Sequence, residues 1–583
     1  MDKKKKKNKF LPFLNWFPID GKSLKSDFFV GVTITLMLIP QSMAYAELAG
    51  MPPHYGLYAS FIPVILAALW GHMPQIASGP TAMTAIVTAS VLMPFAEVHS
   101  EKYIVMAILL ALVVGLVRLL MGFFKMATLV NFISHPVVIG FTNGGALVIC
   151  LSQLSKLLGI QGPTERNIGF GGFISDLFIT LGNFATLNKV TMAFGIGAVV
   201  LLLCFKKFAP KLPGALIVVL LSIFLSKWIG YHEKYECPVV GEIPRGLPAF
   251  GLLSWSFPGA DEQSFWATFF KMIPAALMVT LIGFMEVLAI SKAIALKTKQ
   301  PLDLNQELIG QGTAAVGGFF CQAYPTSASF SRSALSIECK TKTGMANIFS
   351  GIGVLLVLLF FTDYLYHLPK SVLSALIIMS VINLVNFNPV SLAWKANRND
   401  GIGAVITLLF TILFAPQIVY GIVIGGVLTF GMYMYRTVKP QVKIFGLDDS
   451  EADDKDEIAA AAAGEQIAIM RIRCSLFFAS MAYFEEKLLD TAAFKPKAKY
   501  IIIAANGINR IDASGEWGLR QLLETFEQNN ITLVFAGLPK HSYETLENTG
   551  LTKKIGTKNF YPNLETAVKE INADIAPAEH YMI

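Results

Sequence analysis

The chain has 583 residues, 54% of them hydrophobic and only 15% charged. That balance excludes an ordinary soluble globular protein and a disordered one, and it predicts a polytopic α-helical membrane protein with room for a small soluble domain. The formal net charge of +7 does not call for a nucleic-acid partner, because much of the excess sits in Lys3 to Lys7 with Lys9 and in short loops between apolar runs.

In chain order, residues 1–27 read as a basic N-terminal segment. Its lysines are followed by an amphipathic-looking stretch with Pro12 and Pro18 and no small-residue cleavage site, so no cleavable leader is expected. Residues 28–436 read as a membrane domain, with long apolar runs at 103–123, 190–205, 215–228, 265–296, 344–361, 402–413 and 418–435. Lys206, Lys207, Lys211, Lys292, Lys297, Lys299, Lys340, Lys342, Lys395 and Arg398 fall in loops on one side. Glu97, Glu101, Glu233, Glu236 and Asp363 fall on the other. This asymmetry predicts about fourteen spans with both termini cytoplasmic, in a bacterial-type inner (plasma) membrane. The six cysteines are scattered; they suggest neither a disulfide frame nor a metal site and read as buried apolar fillers.

Residues 437–583 change character. An acidic and alanine-rich segment near 448–464 reads as an insertion without a fold of its own. Strands are expected at 466–472, 500–504 and 531–536, and helices at 515–527, 542–549 and 564–571. Alternation of this kind predicts a small α/β domain.

Within the membrane domain, Ser78-Gly79-Pro80-Thr81-Ala82 and Tyr324-Pro325-Thr326-Ser327-Ala328 each place a proline where it would open a short apolar helix. The free N–H groups and positive dipole end of such a helix attract anions. An offset of 245 residues relates the two prolines and also relates Glu286 to Gln41, which lies beside Pro40 and near Tyr45. Two inverted seven-helix halves would bring both helix starts to one central anion site.

Glu286 lies deep in an apolar run, so it must be protonated, paired or facing water. It reads as a proton- or sodium-coupling carboxylate or as a packing glutamate. Arg332, within Ser329-Phe330-Ser331-Arg332-Ser333, either adds charge to the anion site or forms a structural ion pair, with Glu286 as its candidate partner. Ser327, Ser329 and Ser331 offer hydroxyls. Arg118 is a second intramembrane charge that could snorkel to the cytoplasmic side, and no transport role is assigned to it. His54 reads as an outer-loop residue. No phosphate loop, nucleotide fingerprint or metal-ligand spacing is present, so neither an enzyme nor a cofactor is expected.

Three segments, Ile39-Pro40-Gln41-Ser42-Met43-Ala44-Tyr45-Ala46, Pro53-His54-Tyr55-Gly56-Leu57-Tyr58-Ala59-Ser60, and Tyr324-Pro325 leading to Ser329-Phe330-Ser331-Arg332-Ser333-Ala334, together resemble the signature segments of the sulfate permease (SulP) family. The resemblance runs nearly the whole length. It implies fourteen spans in two inverted seven-helix repeats, arranged as core and gate bundles, followed by a cytoplasmic domain of the sulfate transporter and anti-sigma antagonist (STAS) type. It also implies anion contacts from Gln41, Tyr45, Thr81, Ser329, Phe330, Ser331 and Arg332, with Glu286 beside them. Ala82 and Ser327, at the two helix starts, complete the candidate set. A homodimer joined through the cytoplasmic domains is implied as well.

The chain departs from the family pattern in three places. Ser327-Ala328-Ser329 stands where many relatives have Thr-Gly-Ser, and the added methyl is expected to narrow backbone access to the anion. Glu286 replaces the aspartate common in sodium-using bicarbonate carriers, which favours protons. Ile511-Asp512-Ala513-Ser514-Gly515 resembles the loop that anti-sigma antagonists present to a kinase, with Ala513 at a usual hydroxyl position. Ser514 is therefore either a regulatory phosphosite or a helix cap. The leading reading is proton-coupled sulfate uptake by alternating access. Bicarbonate or C4-dicarboxylate transport, coupled to protons or sodium, is an alternative, and so is a membrane-tethered signalling protein.

Overall fold

The computed structural model describes residues 11–128, 134–163, 167, 169–209, 212–244, 246–248, 262–445 and 463–575. The N-terminal lysine run, Lys211 and most of the acidic insertion lie outside the described residues. The chain divides into two compact units, Met1–Thr429 and Phe430–Ile583.

Among its described residues the first unit is mainly helical, with one pair of two-residue strands. It runs through α1 (Gly21–Leu48), α2 (His54–Ala59), α3 (Ile62–Trp70), β1 (Ser78–Gly79), α4 (Ala82–Leu92), α5 (Glu101–Phe123) and α6 (His135–Ser152). Next come α7 (Leu154–Leu158), α8 (Gly172–Gly182), α9 (Lys189–Phe208), α10 (Gly214–Ile229), α11 (Glu262–Lys271) and α12 (Ile273–Thr298). Then follow α13 (Leu304–Phe320), β2 (Ser327–Ala328), α14 (Phe330–Glu338), α15 (Met345–Phe360), α16 (Lys370–Val381), α17 (Asn388–Ala396), α18 (Arg398–Leu413) and α19 (Val419–Val438).

Among the described residues, seven helical segments are long and apolar enough to cross a membrane, and four more apolar segments are shorter. Helix α14, with nine residues, is too short to count as a span by length. The expected run at 265–296 is two helices, separated at Met272 where α12 opens with a proline in its first turn.

The packing has the reciprocity of a two-fold repeat. Helix α1 packs on α15 while α12 packs on α5; α6 packs on α18 while α16 packs on α9; α3 packs on α13. The strands obey the same exchange: β1 pairs antiparallel with β2, Ser78 opposite Ala328 and Gly79 opposite Ser327. The first residues of the two strands, Ser78 and Ser327, stand 249 residues apart rather than 245. The prolines also differ from expectation. Helix α4 begins at Ala82 after the cap residue Thr81, and α14 begins at Phe330 after Ser329. Pro80 thus follows β1 and Pro325 precedes β2, and neither opens a helix.

The second unit holds a five-stranded sheet in chain order: β3 (Gln441–Ile444), β4 (Ile467–Arg473), β5 (Tyr500–Ala504), β6 (Thr532–Ala536) and β7 (Phe560–Tyr561). Only β3 runs antiparallel to its neighbour. Both faces of the sheet are apolar. One packs in a cluster with Leu519, Leu523 and Phe526, the other with Leu564, Val568 and Ile571, as parallel strands require. The two short edge strands and the helix Met481–Phe494 add to the expected elements.

Candidate anion-binding site

The two-stranded ladder organises the centre of the membrane unit. Because β1 and β2 are antiparallel and each leads into a helix, α4 and α14 start from opposite ends of the ladder with their N-termini opposed. Polar side chains in apolar helices hold the ladder. Gln311 on α13 donates to Ser78 Oγ at 2.7 Å, and Asn347 on α15 donates to the Ile76 carbonyl at 2.8 Å. Ser333 Oγ accepts from Ala77 N at 3.0 Å, and Ser329 N donates to the Ala77 carbonyl at 2.9 Å. Such buried side-chain bonds satisfy backbone groups that the short strands leave unpaired.

At the α4 end, Thr81 caps the helix by accepting from Thr84 N at 3.3 Å. The same hydroxyl lies 3.3 Å from Glu286 Oε2 and 3.1 Å from Thr84 Oγ1. Glu286 projects from the middle of α12 and is partly buried. Ala82 is buried in the first turn of α4.

At the α14 end, Arg332 is fully buried. It donates to the Pro80 carbonyl at 3.0 Å and to Gln41 Oε1 on α1 at 3.4 Å. Its bonds therefore cross from α14 to the segment entering α4 and do not run to Glu286. Tyr45 is buried on α1. The hydroxyls of Ser329 and Ser331 are 3.3 Å apart. Phe330 is 48% exposed and Ser331 is exposed, so the site is open on this side.

One nominated residue, Ser327, and the family-divergent Ala328 beside it face away from that opening. Ser327 is buried and donates to the Gly283 carbonyl of α12 at 2.9 Å, which makes it a strut behind the ladder. Ala328 belongs to the apolar cluster with Phe284, Val287 and Leu308. Its methyl therefore fills core and does not narrow backbone access as expected.

Arg118 does not snorkel. It is fully buried and donates Nη1 to the Thr326 carbonyl at 2.8 Å. Sequence reading saw this charge but could not see its partner, which is a backbone atom on a distant segment. Gln311 and Asn347 were also passed over, and a polar amide inside an apolar run was the available signal. His54 opens α2 and packs on the rings of Tyr55 and Tyr58. Among the described residues no cluster of metal ligands occurs.

In the second unit, Asp512 and not Ser514 caps the helix Ala513–Gln528, accepting from Gly515 N at 2.7 Å. Its other oxygen accepts from Phe478 N at 3.2 Å. Ser514 is exposed in the first turn.

Two opposed helix N-termini, a buried guanidinium, hydroxyls and a carboxylate form a site that can replace the hydration shell of a small oxyanion with fixed donors. The profile of the sulfate permease family matches residues 24–407, and that of the STAS domain matches residues 459–567. Sulfate transporter 4.1, chloroplastic, of Arabidopsis thaliana is 30% identical over 94% of this chain and 80% of its own length. The sodium-independent sulfate anion transporter of Bos taurus is 28% identical over 91% of this chain and 86% of its own. The structure of murine Solute Carrier 26 family member A9, an anion transporter, superposes with a TM-score of 0.85 at 21% identity, covering 97% of this chain and 94% of the other. The chain, a multi-pass membrane protein with a C-terminal STAS domain, belongs to the sulfate permease family of anion transporters.

Proposed function

We propose that this protein is a secondary active transporter that takes up sulfate together with protons. The observation that carries the reading is the meeting of the α4 and α14 N-termini across the β1–β2 ladder, with Arg332 bridging them and Glu286 touching Thr81. Sulfate is the substrate because the similar proteins from Arabidopsis thaliana and Bos taurus are named for it. Protons are favoured over sodium by the glutamate at position 286 and by the sodium-independence in the name of the bovine relative.

The anion contacts are Gln41, Tyr45, Thr81, Ala82, Ser329, Phe330, Ser331 and Arg332, with Ser327 supporting them from behind. Glu286 carries the proton, and its protonation offsets part of the charge that enters with the anion. Transport proceeds by alternating access, the bundle holding the ladder moving against the remaining helices. The protein works as a homodimer in the inner membrane with both termini cytoplasmic, an orientation supported by the basic loops. Ser514, exposed beside the Asp512 cap, is the candidate regulatory phosphosite.

Reconstitution into liposomes tests this. Sulfate, bicarbonate, succinate and chloride uptake is measured with and without an inwardly directed proton gradient. Sulfate uptake accelerated by the gradient is the expected result. Preference for another anion, or indifference to the gradient, would replace the substrate or the coupling ion.

A further inference from the structure

Arg118 is a fully buried cation that the contacts described so far leave unexplained. It lies within α5, and among the described residues no carboxylate forms an ion pair with it. Nη1 donates to the Thr326 carbonyl at 2.8 Å, while Nε and Nη2 have no hydrogen-bond partner among the described residues. A guanidinium deprived of water and of partners is costly. It is retained where a negative charge arrives to compensate it.

The surroundings of Nη2 say where that charge arrives. A Cβ added at Gly283 would fall 2.8 Å from Nη2, 3.6 Å from Ser327 Oγ and 3.6 Å from Thr84 Oγ1. Arg118, Ser327 and Thr84 therefore converge on the bare Cα of Gly283, one helical turn before Glu286 on α12. Thr326, which holds Nη1, leads directly into β2 and the start of α14. Arg118 thus stands behind the ladder, on the side opposite the open face at Phe330.

Charge balance follows. The charged side chains gathered around the ladder are Arg118 on the Thr326 carbonyl, Arg332 on the Pro80 carbonyl and Glu286 on the Thr81 hydroxyl. Two guanidinium groups and a protonated Glu286 neutralise one divalent anion. Without Arg118 the same arrangement neutralises only a monovalent one. We propose that Arg118 is the specificity-determining second cation of the site, setting its preference for divalent over monovalent oxyanions by a fixed positive charge held on the Thr326 carbonyl across Gly283. This rests on the anion-transport reading of the same site. Arg118 acts through the field and the ladder and does not touch the anion, so it is a positioning residue.

The test compares wild type, Arg118→Gln and Arg118→Lys in liposomes, with sulfate and bicarbonate as probes. Coulomb energy doubles with the charge of the anion, so a loss of about threefold in bicarbonate affinity corresponds to about tenfold in sulfate affinity. Arg118→Gln is expected to lower the sulfate-to-bicarbonate ratio by about threefold or more, or to gain bicarbonate uptake where the wild type has none. Arg118→Lys is expected to keep the wild-type ratio. Equal losses for both anions, an unchanged ratio in Arg118→Gln, or a ratio in Arg118→Lys that falls as far would overturn the inference. Should Arg118→Gln not be recovered folded, Arg118→Met removes the charge while keeping an unbranched, flexible side chain in the buried position. A lowered ratio in that variant supports the inference, and an unchanged one overturns it. A wild type that carries neither anion refutes the transport reading itself, a result distinct from any change of ratio.

Discussion

Replacing Arg332 by alanine removes a charge and two hydrogen bonds at once. The wild-type guanidinium is fully buried and donates to the Pro80 carbonyl at 3.0 Å and to Gln41 Oε1 at 3.4 Å. A hydrogen bond to a charged group contributes about 1.5–3 kcal/mol, so losing the direct contact to the anion should weaken sulfate binding by roughly 10- to 150-fold. Part of the effect will appear as lowered stability, because the Pro80 carbonyl loses its donor and a buried side chain leaves a cavity. Arg332→Lys separates the two. It keeps the charge but cannot span both acceptors as a planar fork does, so its affinity should fall between wild type and alanine. Titration calorimetry on detergent-purified protein gives the affinity, and size-exclusion recovery gives the folded fraction. Wild-type sulfate affinity in a well-folded Arg332→Ala protein would refute the assignment of Arg332 to the site.

Three further outcomes are expected. Glu286→Gln keeps the shape and an acceptor for the Thr81 hydroxyl, so it should still exchange sulfate but lose acceleration by a proton gradient; tracer flux with and without the gradient checks this. Asp512→Ala removes the cap bond to Gly515 N and the bond from Phe478 N, costing the C-terminal unit about 1 kcal/mol in urea denaturation. Burial pushes the Cys474 thiol up to about 11. Only the thiolate reacts, so alkylation of Cys474, followed by mass spectrometry, should be negligible at pH 8 and rise only as the pH approaches that value, whereas in urea it should be fast at pH 8.

The sequence makes the family, the two-unit organisation and the polar centre of the membrane unit legible. Glu286 and Arg332 stand out because a charge in an apolar run needs a reason. The ladder did not stand out, since two residues of strand carry no periodicity and α14 is only nine residues long. Proline chemistry then suggested the wrong boundary, because Thr81 and Ser329 and not the prolines occupy the cap positions. Arg118 gave the same signal as Arg332, yet its partner is a carbonyl 208 residues away, a relation that no spacing along one helix displays. Ala328 was misjudged for a related reason. A residue's direction in a two-residue strand depends on the register with its partner, and that register is a tertiary fact.

The central claim is that the anion sits between the opposed starts of α4 and α14. A crystal structure with selenate in place of sulfate, phased on the anomalous signal of selenium, locates it directly. The expected peak lies within hydrogen-bond reach of Arg332 and of the backbone N–H groups that follow Thr81 and Ser329. A peak elsewhere, such as the cavity of about 240 Å³ lined by Glu47, His99 and Lys156, with none at the ladder, would contradict the account.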